Sequence, residues 1–213
     1  LAAAGFGVFE WAGFAGLETL RAKLLYTGLF LLMAAGLYLL KAYFADFIGL
    51  VSMLWMCAIA SILLYPTGEF LFKNQWFVGA LGLVIMLGAW VSLSMLRAHD
   101  QGALWLVWLF VLTTATDVGA YFVGKAFGKN RLAAQLSPGK TWEGAIGGCV
   151  IATLICASAL MFWQSYSLLS ALLLTIALVC ISVFGDLFES LLKRTSGVKD
   201  SGTILPGHGG VLD

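Results

Sequence analysis

The sequence predicts an all-α, polytopic integral membrane protein. Hydrophobic residues make up 61% of the chain and charged residues only 11%, whereas soluble domains carry roughly 25% charged residues. The mean hydropathy is +0.96, and the uncharged runs approach the roughly 20 residues that a helix needs to cross a bilayer. No segments alternate polar and apolar residues as the strands of a membrane barrel do. Helices are therefore favoured, because backbone groups inside lipid must be hydrogen-bonded within the protein.

The apolar runs predict about seven transmembrane helices in this chain. Two runs contain an acid, Glu10 in the first and Asp117 in the fifth. Gly144 and Gly148 in the sixth run allow close helix packing, although glycines scattered through a Gly-rich membrane protein would give the same spacing. Connections are short and no internal repeat is evident, so a single domain over residues 1–213 is predicted. The runs occupy residues 1–17, 24–40, 47–65, 77–96, 103–124, 144–163 and 168–185.

The positions of Lys and Arg predict the orientation of the helices, because these bases collect on the cytoplasmic side of a membrane. If residues 125–143 face the cytoplasm, only Lys41 and Arg97 of the 12 bases lie on the opposite side. The fifth and seventh helices then run inward, so Asp117 and Asp186 approach the cytoplasmic face. An active site facing the cytoplasm is therefore expected. The bases on that side are Arg21, Lys23, Lys73, Lys125, Lys129, Arg131, Lys140, Lys193, Arg194 and Lys199.

The net charge excludes one large class of partner. The chain carries a formal charge of +1 and has no run of basic residues. Nucleic-acid binding depends on clustered Lys and Arg residues that neutralise phosphates. No nucleic-acid partner is therefore expected. The apolar composition indicates that the chain lies in a lipid bilayer.

The end of the seventh run places several polar side chains on one helical face. Asp186, Glu189, Ser190 and Lys193 are spaced at i, i+3, i+4 and i+7, which lines a single face of an α-helix. The helix is predicted to break at Gly197, because glycine is unfavourable inside helices and favoured just after them. A purely positive membrane cap would not need the carboxylates, whereas a site for a metal and a nucleotide needs both signs of charge.

The glycine-rich segment after this helix suggests an anion site. Residues 206–210 read Pro-Gly-His-Gly-Gly, and such a loop can turn backbone N–H groups toward a phosphate. Asp200 and Asp213 would bring hard oxygen ligands to the same region, which suits Mg²⁺ carried by a nucleotide. His208 is the only histidine near these acids, and a structural histidine in a turn explains it equally well.

Asp117 is a candidate functional residue because a carboxylate at membrane depth is energetically costly. The alternative is a helix-packing acid that is satisfied by the neighbouring threonines. Function is the favoured interpretation.

Residues 137–144, Ser-Pro-Gly-Lys-Thr-Trp-Glu-Gly, resemble a phosphate loop only superficially. The Walker A spacing requires a glycine where this chain has Ala134, and no strand is predicted before the segment, so an ATPase is excluded. Ser137, Lys140 and Thr141 are instead expected at the start of the sixth helix, where an anion is favoured. A basic loop on the cytoplasmic side is an equally good explanation.

The chain resembles the bacterial phosphatidate cytidylyltransferases, also called CDP-diacylglycerol synthases. Residues 190–213 match the signature of that family, and residues 182–213 form the signature region. The signature reads S-x-x-K-R, four residues, then K-D-x-G-x-x-L-P-x-H-G-G-V-x-D. Residues 113–129 and 137–141 are also similar to blocks of the family.

This resemblance implies a nucleotidyltransferase of phospholipid biosynthesis that converts CTP and phosphatidic acid into CDP-diacylglycerol and pyrophosphate. It also implies that Mg²⁺ is required, as one ion or two. The expected location is the bacterial inner membrane, and the expected assembly is a homodimer.

On the basis of this resemblance, each site residue is assigned a role according to the chemistry of its side chain or backbone. Metal binding is assigned to Asp186, Asp200 and Asp213, with Asp117 and Glu189 as second choices. The catalytic groups are expected to be Lys193, Arg194, Lys199, Asp200 and His208. Substrate binding is assigned to Ser137, Lys140, Thr141, Ser190, Ser201, Gly209 and Gly210.

Proteins of other functional classes would show different sequence and structural features. An ion-coupled membrane transporter would also explain intramembrane acids, but it predicts discontinuous helices and a site near the bilayer midplane. A non-catalytic membrane scaffold would bind no nucleotide. A CDP-alcohol phosphotransferase should carry an Asp-Gly-x-x-Ala-Arg motif, which this chain lacks. Ser190 and Ser201 have no nucleophile-elbow context, which disfavours a hydrolase.

We expect the native chain to continue beyond both ends of this sequence. The family pattern continues after Asp213 with Arg, an apolar residue and a further Asp, and the first residue is Leu1 rather than Met. The predicted orientation also calls for at least one helix before Leu1. The 213-residue segment by itself is therefore expected to be inactive or nearly so.

Overall fold

The computed structural model describes residues 1–198, 200–202 and 209–212. The described chain forms seven α-helices and two short strands. Two short 3₁₀ segments, Lys41–Tyr43 and Thr67–Lys73, lie beside the third helix. The labelled elements are α1 (Ala2–Phe14), α2 (Leu20–Leu39), α3 (Phe44–Leu63), α4 (Gln75–Ala98), α5 (Gly102–Phe127), β1 (Arg131–Ala133), β2 (Ser137–Thr141), α6 (Trp142–Gln164) and α7 (Leu168–Thr195).

The helical membrane fold is confirmed, and the chain is an integral membrane protein. Within the described ranges, six helices are long and apolar enough to cross a membrane, namely α2 to α7. The remaining predicted run forms α1, which contributes 13 residues. The short strands β1 and β2 were not predicted, because three and five residues are too few to show an alternating pattern.

The chain divides into two compact units, which are described separately. Unit 1 contains residues 1–95 and 188–213, and unit 2 contains Leu96–Leu187. The prediction of one domain over residues 1–213 stays a prediction.

In unit 1, α1 packs against α4 through one tryptophan. Trp11 Nε1 donates a hydrogen bond to the carbonyl of Val78 at 2.9 Å. A Cβ at Gly82 would overlap the same indole ring, so glycine is needed for the two helices to approach. Tyr26 of α2 donates to the carbonyl of Gly79 at 2.6 Å. Buried α4 carbonyls thus hold both α1 and α2.

An aromatic cluster around Phe188 completes the core of unit 1. The Phe188 ring is 3% exposed. Its centroid lies 6.4 Å from Trp11, 5.2 Å from Trp55 and 5.7 Å from Phe72. Phe188 begins the last two turns of α7. Its ring therefore anchors this part of α7 to α1, to α3 and to the 3₁₀ segment Thr67–Lys73.

The end of α7 agrees with the predicted break. The helix ends at Thr195, and Gly197 has a φ of +71°. The N–H of Val198 donates to the carbonyl of Lys193 at 3.0 Å. Glycine closes the helix here because its left-handed conformation carries no Cβ penalty.

In unit 2, α5 and α6 pack closely through small residues. A Cβ at Gly144 would lie 2.8 Å from the carbonyl oxygen of Ala120, and a Cβ at Gly148 would lie 3.0 Å from the nitrogen of Ala120. Trp108 Nε1 of α5 also donates to the carbonyl of Cys156 at 3.0 Å. The packing role of the Gly144 and Gly148 pair is confirmed, because neither position has room for a side chain.

We predict that Gly148→Ala destabilises the protein by about 1–3 kcal/mol, as overpacking of a filled interface generally does. The measurement is the thermal unfolding temperature of the purified protein in detergent. Gly36→Ala is the matched control, because Gly36 lies within α2 with no atom within 4 Å of the added Cβ. Equal unfolding temperatures for the two variants would contradict the close contact of α5 and α6.

Candidate active site

The segment expected to bind phosphate forms a β-hairpin in unit 2. β1 pairs antiparallel with β2, and Arg131 lies opposite Thr141. Ser137 and Lys140 therefore lie on a strand. The prediction that they begin the sixth helix was wrong, as was the expectation that no strand precedes them. Only Thr141 stands at the helix start.

Thr141 joins the hairpin to α6 and to the end of α5. Its Oγ1 accepts a hydrogen bond from the N–H of Gly144 at 3.1 Å, which caps α6. A Cβ at Gly124 would lie 3.1 Å from the same oxygen, and one at Gly128 would lie 2.9 Å from it. The Gly124 and Gly128 spacing therefore serves close packing on a buried threonine.

Glu143 holds the chain that leads into the hairpin, and the sequence analysis missed this residue. Its carboxylate accepts hydrogen bonds from the backbone N–H groups of Lys129 at 3.1 Å and Asn130 at 3.2 Å. The Asn130 side-chain amide donates to it at 2.7 Å. The available signal was an acid in the first turn of a helix, two residues after the threonine cap.

Lys140 forms the centre of a charged cluster in unit 2. Its Nζ makes an ion pair with Asp186 of α7, in which the lysine side chain is 23% exposed and the aspartate 48%. Asp117 of α5 interacts electrostatically with both Asp186 and Lys140. Three separate elements, α5, β2 and α7, thus bring two carboxylates and one ammonium together. The predicted orientation placed Asp117, Asp186 and residues 125–143 at one membrane face. The ion pair of Lys140 with Asp186 was not predicted, because the two residues are far apart in sequence.

Two of the three threonines that precede Asp117 direct their hydroxyl protons elsewhere. Thr113 Oγ1 donates to the carbonyls of Leu109 and Phe110, and Thr116 Oγ1 donates to the carbonyl of Leu112 at 2.8 Å. A hydroxyl has one proton, so neither threonine has a proton left for the carboxylate. This weakens the interpretation of Asp117 as a packing acid held by these two residues.

A second charged group lies at the end of α7 in unit 1. Glu189 and Lys193 form an ion pair at 3.0 Å, with side chains 19% and 20% exposed. Ser190 and Arg194 lie in the same two turns. The prediction that this stretch is helical is confirmed. The helical spacing brings the Glu189 carboxylate into an ion pair with Lys193.

We call residues 199–213 the glycine-rich loop. Its described parts, residues 200–202 and 209–212, belong to unit 1. Asp200 is exposed, whereas Ser201 is partly buried and donates from Oγ to the Glu10 carboxylate at 3.3 Å. Gly209 has a φ of +100°, which favours glycine. Gly210 is buried. Glu10 is the second residue that the sequence analysis missed, since it was treated only as an interruption of an apolar run.

Three predicted site residues lie outside the described residues, namely Lys199, His208 and Asp213. The predicted metal ligands Asp186, Asp200 and Asp213 are therefore not tested as a set. Asp186 belongs to unit 2 and Asp200 to unit 1. Their roles stay predictions.

The donor chemistry of unit 2 fits a magnesium ion that arrives with a nucleotide. Mg²⁺ is bound through one or two carboxylates together with phosphate oxygens and water, and Asp117 and Asp186 supply carboxylates in one cluster. Among residues 1–198, 200–202 and 209–212, no group of three His, Cys, Asp or Glu residues is placed to hold a metal ion. Asp117 and Asp186 are the acids of unit 2 that could contribute to such an ion.

Comparison with known proteins gives a consistent result. The sequence model of the cytidylyltransferase family matches residues 1–213. The chain is 38% identical to a phosphatidate cytidylyltransferase of Pseudomonas aeruginosa over 214 residues, which covers 100% of this chain and 79% of that protein. It is 40% identical to a phosphatidate cytidylyltransferase of Haemophilus influenzae, over 75% of this chain and 59% of that protein. It is 52% identical to one of Helicobacter pylori, over 54% of this chain and 42% of that protein.

We predict that Glu143→Ala loosens the loop before the hairpin, because the N–H groups of Lys129 and Asn130 lose their acceptor. Amide hydrogen exchange of residues 128–133 should become faster, while exchange within the middle of α6 stays unchanged. Glu143→Gln should have a smaller effect, since its amide oxygen still accepts hydrogen bonds. Unchanged exchange in both variants would contradict the observed hydrogen bonds.

Proposed function

We propose, since this chain belongs to the cytidylyltransferase family, that it converts CTP and phosphatidate into CDP-diacylglycerol and pyrophosphate. Membership of the family makes the protein a nucleotidyltransferase. The observation that carries the proposal is the cluster of Asp117, Lys140 and Asp186, in which Asp186 forms an ion pair with the lysine and Asp117 interacts electrostatically with both.

The reaction joins two anions and needs little acid–base chemistry. A phosphate oxygen of phosphatidate forms a bond to the α-phosphorus of CTP. The bond from that phosphorus to the bridging oxygen breaks, and pyrophosphate leaves with the electron pair. Phosphatidate is already anionic at neutral pH, so no strong base has to remove a proton. The enzyme mainly has to align the substrates and offset their repulsion.

Lys140 is proposed to supply positive charge to the substrate phosphates. Its Nζ atom is buried and is held by Asp186, so its position is defined before a substrate arrives. Such preorganisation is worth more than charge alone, because no reorganisation is needed during the reaction. Lys193, held by Glu189 at 3.0 Å, is proposed to act in the same way.

The other predicted groups keep their proposed roles around the phosphates. Lysine and arginine side chains offer positive charge, and hydroxyl and backbone N–H groups offer hydrogen bonds. These groups are Arg194, Lys199, His208, Ser137, Thr141, Ser190, Ser201, Gly209 and Gly210.

Mg²⁺ is proposed to be held by Asp186, Asp200 and Asp213, with Asp117 and Glu189 as second choices. Of the second choices, Asp117 is the better supported, because it shares an electrostatic cluster with Asp186, whereas Glu189 is paired with Lys193. When bound, Mg²⁺ would neutralise charge on the triphosphate and on the departing pyrophosphate. The protein's own part is to hold the carboxylates near the lysine.

We propose that the active site faces the cytoplasm of a bacterial inner membrane. The hairpin and Lys140 lie in the basic segment 125–143, and basic segments favour the cytoplasmic side. A single cysteine at Lys125 in a cysteine-free background should react with an impermeant maleimide only from the cytoplasmic side of sealed vesicles. Reaction from the outer side would contradict the proposed orientation.

A homodimer, implied by the family resemblance, is part of the proposal and is tested by the protein's mass in detergent.

We predict that Asp186→Asn, Asp200→Asn and Lys140→Gln each lower turnover about 100-fold or more, because the two aspartates are proposed to hold Mg²⁺ and Lys140 to offset the charge of the phosphates. The measurement is incorporation of labelled CTP into lipid by membranes that contain the complete protein, with phosphatidate added and with Mg²⁺ present or chelated. Because Lys140 Nζ is buried, removing one partner of its ion pair with Asp186 also costs stability, so the unfolding temperature of each variant is measured in detergent and turnover is compared only between folded proteins.

Asp46→Asn is the matched control, since Asp46 is an exposed acid in the first turn of α3. Near-normal turnover of Asp200→Asn would exclude that residue as a metal ligand. If the folded parent protein makes no CDP-diacylglycerol, the proposed reaction is wrong. Substrate flux across proteoliposomes without CTP turnover would then favour a transporter.

A further inference from the structure

Glu10 is a buried carboxylate that contacts the far end of the sequence. It lies in α1 and is only 2% exposed. Its Oε1 accepts a hydrogen bond from the N–H of Val211 at 2.8 Å, and its Oε2 accepts one from the N–H of Leu212 at 2.9 Å. Ser201 Oγ donates to Oε2 at 3.3 Å. One carboxylate therefore binds both described pieces of the glycine-rich loop.

Two glycines of the loop are explained by the same carboxylate. A Cβ at Gly202 would lie 2.6 Å from Glu10 Oε1, and a Cβ at Gly210 would lie 2.5 Å from Glu10 Oε2. Neither glycine has a positive φ, in contrast to Gly209. Glycine at position 202 is thus required by the close approach of Glu10 alone, whereas at position 210 Ser201 Oγ and the Glu10 carboxylate together take the space of a Cβ.

Further contacts fix α1 on both sides of Glu10. Ser196 Oγ, just after α7, donates to the carbonyl of Phe14 at 3.3 Å. On the other side, a Cβ at Gly7 would lie 3.2 Å from the Leu212 side chain. The beginning and the end of the loop both rest on α1, and Glu10 supplies the polar contacts between them.

We propose that Glu10 is a positioning residue, whose carboxylate sets the placement of Asp200, Ser201, Gly209 and Gly210 for the reaction. This proposal rests on the proposed function for its kinetic part. A carboxylate that accepts several N–H and O–H donors makes charge-assisted bonds, which are stronger than neutral ones. Glu10 touches no substrate in this role and acts only through the loop.

The first test is Glu10→Gln in the complete protein. Glutamine keeps the size of the side chain, but its NH₂ group faces a backbone N–H, so one donor of the loop loses its acceptor. Amide exchange in residues 209–212 should become faster. The kcat for CDP-diacylglycerol formation should fall about 10- to 100-fold, because small displacements of positioned groups slow catalysis, with a smaller change in KM for CTP.

Glu18→Gln is the matched control, since Glu18 is an exposed acid shortly after α1. It should leave amide exchange, kcat and the unfolding temperature as in the parent. Unchanged exchange in Glu10→Gln would overturn the proposal. Faster exchange with an unchanged kcat would also overturn it, because Glu10 would then hold the loop without positioning any group for the reaction.

A double-mutant cycle separates positioning from simple destabilisation. Gly202→Ala alone should reduce kcat, because the three nearest atoms to the added Cβ all belong to Glu10. In a Glu10→Ala background the same change should have little further effect, since the clashing side chain is gone. Coupled residues give such non-additive effects. Equal losses in the two backgrounds would contradict a contact between Glu10 and Gly202.

The two proposals can fail separately. If the folded parent makes no CDP-diacylglycerol, the proposed function fails, and amide exchange then decides alone whether Glu10 holds the loop. If the parent is active and Glu10→Gln behaves as Glu18→Gln does, the positioning role fails while the function stands.

Discussion

Compensation of the charges that lie within and beside the apolar helices is the constraint on which this structure depends. A charged group near lipid is costly unless it is paired or hydrogen-bonded. Lys140 is paired with Asp186 in unit 2, and Lys193 is paired with Glu189 in unit 1. Each pair holds a lysine in a defined place. The same pairs thereby keep each lysine in place for the phosphate-binding role that we propose for it.

The carboxylates of this chain divide into two kinds by what they bind. Asp186 and Glu189 bind ammonium groups, so they set local charge. Glu10 and Glu143 bind backbone N–H groups, so they set the path of the chain. The second kind carries no obvious functional signature, yet it decides where neighbouring residues lie. Glu10 and Glu143 each lie within a turn or so of a helix end and bind a segment that precedes or follows another helix.

At four positions in this structure, glycine leaves room for a side chain of another element to approach the backbone. Gly124 and Gly128 allow Thr141 to approach the end of α5, and Gly202 and Gly210 allow the Glu10 carboxylate to approach the loop. In these places an oxygen atom takes the space of a Cβ. Glycine in such motifs therefore marks where a polar side chain from another element meets the backbone, as well as where the chain turns.

The sequence by itself determined the membrane fold class, the approximate helix boundaries, the end of α7 before Gly197 and the family, because these depend on hydropathy, on local backbone preference and on a contiguous signature. It missed the hairpin, since β1 and β2 are too short for a periodic pattern. Only the tertiary structure placed Lys140 on Asp186 beside Asp117, and only the tertiary structure brought Glu10 to Val211 and Leu212. Those contacts join residues from 23 to 202 positions apart, and such pairing depends on how the helices pack, which local sequence patterns do not encode.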